Sequence, residues 1–377
     1  MNSSTYRAYI DINLNNLKYN LKQIQQVSKS KNICAVVKAN AYGHGSVDIA
    51  TYLEKEKLVS AFAVADLDEA ICLRECGISS DILIFGQTNI LRLDSVAKHN
   101  LIQTIDSLDY AKLINNNGIK IRTHLAIDTG MTRIGINGYT LSSFISEFSI
   151  LQTFSNIILE GVFTHLSVAD STDIPDIEYT KNQIKRITEI GTYLKRNISP
   201  GIIVHYLNSA GAIYYSSEES DWIRIGILMY GLYPNPKNRL PFIPKPVLSV
   251  HSTISLVRAI PTGTSIGYGR TFVSPKPMRI GIVPFGYADG YPRALSNNYF
   301  VLINEKKIPI VGRICMDQFM VDLTDTDISV GDQVTIIGSQ GNLNITLDDI
   351  AAQSNTISYE LACNISRRVH RNIHETF

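Results

Sequence analysis

Charge of one sign, a disulfide framework and a long apolar run are all missing from this 377-residue chain. Thirty-five basic residues against 34 acidic ones leave a net charge of +1. The chain therefore lacks the basic excess that would hold a nucleic acid by counterion release. No apolar run reaches the ~20 residues of a membrane span, and Met1–Ile10 has no apolar core of signal-peptide length, so the sequence reads as cytoplasmic, with no membrane partner. The five cysteines, Cys34, Cys72, Cys76, Cys315 and Cys363, are odd in number and form no C-x-x-C pair, the pattern of reduced thiols. Cys72 and Cys76 stand one helical turn apart without further ligands nearby, and no metal is expected. Only 18% of residues are charged and 45% are hydrophobic, which excludes a disordered chain and allows a sizeable core. The length suggests two domains, or one large barrel with an appendage.

Helical spacing is clear from Leu14, with apolar residues at Leu14, Leu17, Leu21, Ile24 and Val27 and polar residues between. A β-branched run, Ile33–Val37, follows and ends in Lys38 and a loop, Ala39–Gly45, too rich in glycine to continue a strand. The unit then recurs. Apolar runs at Ala61–Ala65, Ile82–Phe85, Leu101–Thr104, Thr123–Ile127, Leu159–Thr164, Ile203–Leu207 and Ile223–Ile227 alternate with helical stretches such as Asp68–Cys76, Ile90–His99, Thr140–Phe148 and Tyr179–Lys195. Buried strands alternating with helices at this rhythm predict a TIM-like (β/α)8 barrel, with a doubly wound sheet as the main competitor. Pro234, Pro236, Pro241, Pro244 and Pro246 then mark a linker. Beyond it, Val250–Ala259, Arg279–Val283, Tyr299–Ile303, Ile308–Val311, Phe319–Leu323 and Gln333–Ile337 read as strands of an all-β domain. The predicted domains are 1–240 and 241–377.

Barrel chemistry sits at the C-terminal strand ends, where Lys38 falls. A lysine desolvated there acquires a lowered pKa and forms Schiff bases, although on position alone a snorkelling surface lysine is the commoner case. Asn208-Ser209-Ala210-Gly211 follows the seventh strand, and Arg224-Ile225-Gly226 lies at the eighth, where barrels commonly bind phosphate. A lysine with a phosphate cup points to pyridoxal 5′-phosphate (PLP), and Arg224 could face its ring nitrogen.

The run Ala35-Val36-Val37-Lys38-Ala39-Asn40-Ala41-Tyr42-Gly43-His44-Gly45 resembles the PLP attachment signature of alanine racemases, fold-type III PLP-dependent amino-acid racemases. The likeness continues through Asp128–Gly135, Thr164-His165, Asn208-Ser209, Arg224–Gly226, Gly267-Tyr268-Gly269, Gly286–Arg293 and Arg313–Gln318, so it spans both halves. It implies an N-terminal barrel and a C-terminal mostly-β domain in a head-to-tail homodimer, each active site taking residues from both chains. By the resemblance, Lys38 holds PLP as a Schiff base and handles the α-proton of the D-isomer, while Tyr268 of the partner subunit is the second acid–base group. Inversion needs such a pair, because a proton leaves one face of the carbon and returns to the other. His165 is the implied link between that tyrosine and Arg224. Arg224 does not give a full proton to the ring nitrogen, which favours reprotonation at the α-carbon over transamination. Tyr42, Ser209, Gly226 and Tyr359 are the implied phosphate-side contacts, with Asn208 in the same motif. Met316 is the residue whose backbone amide receives the substrate carboxylate, Arg133 lies near the PLP phenolate and that carboxylate, and Tyr287 is a gate.

One departure from the pattern matters. Many alanine racemases carry a lysine, converted to an anionic carbamate, two residues before the aspartate equivalent to Asp128, and this chain has Ala126 there. Arg133 must then find a small anion such as chloride, or another acidic side chain. Tyr359 resembles the tyrosine that narrows the pocket around an alanine side chain, which favours alanine as substrate and D-alanine for peptidoglycan as product. A serine or broad-specificity racemase, a non-catalytic PLP carrier and a decarboxylase of basic amino acids are the alternatives.

Overall fold

The computed structural model describes residues 6–28, 32–216 and 220–375. Two compact units divide the chain. The first comprises Lys18–Ala41 and Ser46–Pro244; the second comprises the segment ending at Leu17, the stretch Tyr42–Gly45 and everything from Lys245.

In the first unit, eight short strands pair in parallel in chain order: β1 (Ile33–Val36), β2 (Ala61–Val64), β3 (Asp81–Ile84), β4 (Ile102–Ile105), β5 (Ile121–Asp128), β6 (Ile157–Phe163), β7 (Ile203–Leu207) and β8 (Trp222–Ile225). β8 returns to β1 with Arg224 opposite Cys34, which closes a (β/α)8 barrel and excludes the doubly wound sheet. β1, β2, β4 and β8 are buried along their whole length. Strands covered by helices outside and by side chains inside show mostly apolar runs in place of alternation, which is what made them legible. The barrel strands are not wholly apolar, because Gln103, Thr104, Thr123, His124, His205 and Arg224 are all buried along them.

The last barrel strand stops at Ile225, two residues short of its expected end. Gly226 (φ −113°, ψ −103°) breaks the extended backbone, and Ile227–Tyr230 coils into a 3-10 turn. The helix expected at Tyr179–Lys195 runs from Ile174 to Asn197, with a proline in its first turn, where no N–H partner is lost.

A ten-stranded sheet builds the second unit. At one end of it Gln333–Gln340, Leu248–Thr253, Ala8–Asn13 and the edge strand His370–His374 follow one another. Ala8–Asn13 pairs antiparallel with Leu248–Thr253, Ile10 facing Val250, and parallel with His370–His374. The N-terminal strand therefore belongs to the C-terminal unit, a long-range pairing that no local pattern announces. The all-β reading of this half omitted two helices, Leu347–Ser354 and Ser358–Asn364. Thr346 and Asp349 form a reciprocal capping box that starts the first of them. Tyr42–Gly45 joins this unit at close quarters. A Cβ on Gly43 (φ +82°) would lie 2.1 Å from the carbonyl oxygen of Ala362, so only glycine fits, and the Arg371 guanidinium donates to the Gly43 carbonyl at 2.9 Å.

Candidate active site

Lys38 stands just past the C-terminal end of β1, half-buried, its Nζ 5.9 Å from the centre of the Phe85 ring beyond β3. The backbone after it is unusual. Ala39, Asn40, Ala41 and Tyr42 all have φ between 52° and 54°, a left-handed turn made without glycine. Each L-residue there costs about 1–2 kcal/mol, so the turn persists only where its surroundings hold it. Ala41 N–H donates to the Val37 carbonyl at 2.8 Å, and Ser46 N–H donates to Asn40 Oδ1 at 3.1 Å.

Arg224 lies on β8 inside the barrel, 3% exposed. Its Nη1 donates to the His205 carbonyl and to His205 Nδ1, both at 2.9 Å. Its Nη2 donates to the Thr164 carbonyl at 2.7 Å and to His165 Nδ1 at 3.3 Å. Four of the five guanidinium N–H groups are thereby engaged, and the Nε–H has no partner among the described residues. Burial pushes the guanidinium down to about 10, which leaves it a cation at neutral pH.

The donating arginine fixes the tautomers of its neighbours. His205 and His165 both accept at Nδ1, so each carries its proton on Nε2. His205 Nε2 meets His124 Nδ1 at 2.9 Å, so His124 too is protonated at Nε2, a buried atom with no partner. The sequence reading missed His124 and His205. His205 carried a signal, a histidine inside the apolar strand Ile203–Leu207, whereas His124 shares its strand with Arg122, Thr123 and Asp128 and carried none. Arg224, Arg133 and Lys38 all act electrostatically on His165, which places these three cations around one neutral imidazole. Burial and those cations pull His165 from 6.5 to about 3; burial with Arg122 and Arg224 pulls His124 to about 3, and burial with Arg224 and His124 pulls His205 well below its ordinary value.

At the ends of β7 and β8, Ser209 Oγ accepts the Gly226 N–H at 3.1 Å, leaving its own O–H free to donate. Asn208 shapes the backbone around it, since Oδ1 caps the following helix at Gly211 N–H (2.9 Å) and Nδ2 donates to the Leu166 carbonyl (3.2 Å). Arg133 sits on the loop after β5, exposed, with no ion pair among the described residues. Asp128 Oδ1 shapes that loop by accepting the Gly130 and Thr132 N–H groups, both at 2.9 Å. Gln183, another residue the sequence reading missed, is fully buried and joins this loop to the next one: its Nε2 donates to Thr129 Oγ1 (3.4 Å) and to the His165 carbonyl (3.1 Å).

The second unit holds the remaining candidates. Tyr42 and Tyr359 are tilted ring neighbours, 6.3 Å between centres, and burial raises the Tyr42 phenol so that it stays protonated. Met316 is 53% exposed; its carbonyl accepts Ala288 N–H at 3.0 Å, and its own N–H is uncommitted among the described residues. Tyr287, 43% exposed, sits on the same paired loops, donating its N–H to the Cys315 carbonyl at 3.1 Å. A Cβ on Gly286 would lie 2.3 Å from the Met316 oxygen, so the approach of these loops requires that glycine. Tyr268 projects from the turn between Ser265–Ile266 and Phe272–Val273, 70% exposed.

Residues 12–234 match the family model for the alanine racemase N-terminal domain, and residues 247–373 match that for the C-terminal domain. The chain belongs to the alanine racemase family. It is 39% identical to alanine racemase 1 of Clostridium acetobutylicum over 97% of this chain and 94% of that one. The crystal structure of the alanine racemase of Bacillus anthracis with bound L-Ala-P superposes with a TM-score of 0.90 at 33% identity, covering 98% of this chain and 95% of that one. A histidine racemase from Leuconostoc mesenteroides subsp. sake shares the architecture as well, with a TM-score of 0.86 at 26% identity over 99% of each chain. No helix among the described residues is long and apolar enough to cross a membrane.

Within this alanine racemase fold, Ala126 is buried and borders a cavity of ≈ 20 Å³ shared with Asp128, Met131, Arg133, Thr164 and His165. That is room for one water-sized occupant.

The three neutral histidines make stability pH-dependent. Unfolded, each takes up a proton near 6.5; folded, His165 and His124 hold out to about 3. Stability is full above 6.5 and is lost as the pH falls toward the folded values, by up to about 1.4 kcal/mol per pH unit for each histidine. The melting temperature is therefore expected to drop steadily from about pH 7 to pH 5. A flat profile would contradict the neutral assignments.

Proposed function

We propose that this chain interconverts L- and D-alanine with PLP held at the mouth of the barrel. The donor accounting at Arg224 carries the reading. Four N–H groups are engaged and Nε–H is left for a ring nitrogen, beside a lysine and a second arginine around a neutral histidine. Such a cationic set suits an anionic phosphorylated pyridine. Bound PLP supplies the electron sink that makes the α-proton of an amino acid removable.

Lys38 Nζ would hold the cofactor covalently and, once released, exchange a proton with one face of the α-carbon. The partner's Tyr268 serves the opposite face in a homodimer with shared sites. His165 Nε2–H, fixed by Arg224, donates to that phenolic oxygen and stabilises its anion, which brings a group of ordinary pKa near 10 into working range. Arg224 donates a hydrogen bond without surrendering its proton. Ser209 O–H and the Gly226 turn hold the phosphate, the role also proposed for Tyr42 and Tyr359, while Asn208 keeps Ser209 in place. The Met316 N–H receives the substrate carboxylate, Tyr287 gates access, and the product supplies D-alanine for peptidoglycan in the cytoplasm.

Arg133, without a carbamate partner, takes a small anion in the cavity beside Ala126. Turnover is expected to fall when chloride is replaced by a bulky anion, and kinetics that ignore the exchange would contradict this.

A second reading concerns breadth. The architecture also houses a histidine racemase, and rejection of one hydroxyl by an apolar pocket is worth only ~1–3 kcal/mol, so serine is expected as a poor substrate. Proton NMR in heavy water, with chiral analysis of L-alanine and L-serine run separately, tests both points. Exchange of the α-proton with appearance of D-alanine supports the proposal, and no exchange by the PLP-loaded protein contradicts it.

A further inference from the structure

The strained turn after Lys38 has a third tether. Glu69, in the first turn of helix Leu67–Glu75, sends Oε1 to the N–H of Ala39 at 2.6 Å and Oε2 to the N–H of Ala65 at 2.8 Å. Asp66 caps that helix by accepting the Glu69 N–H at 2.9 Å, which fixes where the glutamate starts. In a capping box, a glutamate three residues after the cap folds back onto the cap residue's own N–H. Here the carboxylate is diverted: one oxygen takes the N–H before the cap, and the other reaches thirty residues back in sequence to the N–H that follows Lys38. It bridges the C-terminal ends of β1 and β2 with two charge-assisted hydrogen bonds, stronger than the neutral bonds elsewhere in the turn.

We infer that Glu69 is a positioning residue for Lys38, holding the left-handed turn so that the lysine leaves the strand in its reactive direction; the inference rests on the reading of Lys38 as the cofactor-bearing lysine. The side chain of Lys38 is long, and its root sits on the first residue of a turn that L-amino acids adopt only under constraint. Released from Glu69, the Ala39 amide no longer opposes relaxation of that turn toward right-handed or extended backbone. The fold survives this relaxation, because Ile33–Val37 stays packed in the barrel.

Glu54 provides a matched control. Its carboxylate also clamps backbone, accepting the N–H groups of Ser79 and Ser80 at 3.0 and 2.7 Å, but it does so just before β3, at the end of the barrel opposite Lys38. Apoprotein is reloaded with PLP, and the visible Schiff-base band is followed in wild type, Glu69→Gln, Glu69→Asp and Glu54→Gln, each with its melting temperature and with kcat and KM for alanine. Glu69→Gln puts an amide NH2 against one of the two N–H groups, and Glu69→Asp shortens the reach. Both are expected to slow loading at Lys38 and to lower kcat by about 10- to 100-fold, the scale of an ångström-sized misplacement, with KM moving far less. Glu54→Gln is expected to lower the melting temperature and leave loading unchanged. Wild-type loading and turnover in Glu69→Gln would overturn the inference. So would a loss matched by Glu54→Gln at equal melting temperature, since the effect would then be one of stability alone. Wild-type protein whose borohydride-reduced cofactor maps away from Lys38 would overturn the functional proposal, and this inference with it.

Discussion

Lys38→Ala is expected to lower racemisation by about 10⁴-fold or more, the upper range of what a positioned acid–base group contributes, because one side chain has two roles. In the proposed mechanism it anchors the cofactor and it moves a proton. The substitution removes only a half-buried amine and its stem at the edge of the barrel, and Ile33, Cys34, Ala35 and Val37 beneath it remain fully buried. The melting temperature of the apoprotein is therefore expected to change little, as for substitutions outside the packed core. Racemase assays on protein saturated with PLP, together with borohydride reduction and peptide mapping, check the result. A variant that still racemises at wild-type speed would remove Lys38 from the mechanism.

Tyr268→Phe deletes one oxygen from a side chain that is 70% exposed in its own subunit, so it perturbs packing less than Lys38→Ala does. Its expected effect on inversion is nonetheless about 10²–10⁴-fold, the value of the second acid–base group. The variant should also uncouple exchange from inversion. With only Lys38 able to reach the α-carbon, D-alanine in heavy water trades its α-proton for deuterium and stays D. L-alanine, whose proton faces the missing phenol, exchanges far more slowly. Equal exchange of both isomers would show that some other group serves the second face. A structural role for Tyr268 would slow both isomers alike.

The barrel was legible because its strands are buried on both faces. Ile33–Val36 presents an unbroken run of apolar residues, and Trp222–Ile225 one broken only by Arg224, where a half-exposed sheet would alternate. The places of Lys38, Arg224, Ser209 and Gly226 at the barrel strand ends, where barrel chemistry collects, were legible from the strand pattern. What escaped has three physical origins. Pairing of Ala8–Asn13 with Leu248–Thr253 and His370–His374 joins segments far apart in sequence, which a local window does not see. His124 and His205 acquire meaning only when two strands bring Nδ1 and Nε2 to 2.9 Å. The left-handed turn at Ala39–Tyr42 contains a single asparagine and no glycine, so nothing in its residue types foretells positive φ; the constraint comes from Glu69, Val37 and Ser46. Asn208 shows the reverse case. The motif placed it among the cofactor residues, and the two bonds of its side chain shape backbone, capping Gly211 and holding Leu166.

Central to the proposed mechanism is that Lys38 and Tyr268 act on one substrate from two copies of the chain. Mixing Lys38→Ala and Tyr268→Phe subunits under conditions that exchange protomers tests it directly. A mixed dimer with shared sites has one site lacking both groups and one site with both intact, so random exchange restores activity to about a quarter of the wild-type level. If both groups of a site came from the same chain, every site in the mixture would lack one of them. The mixture would then stay as inactive as its components, and that result would contradict a site shared between subunits.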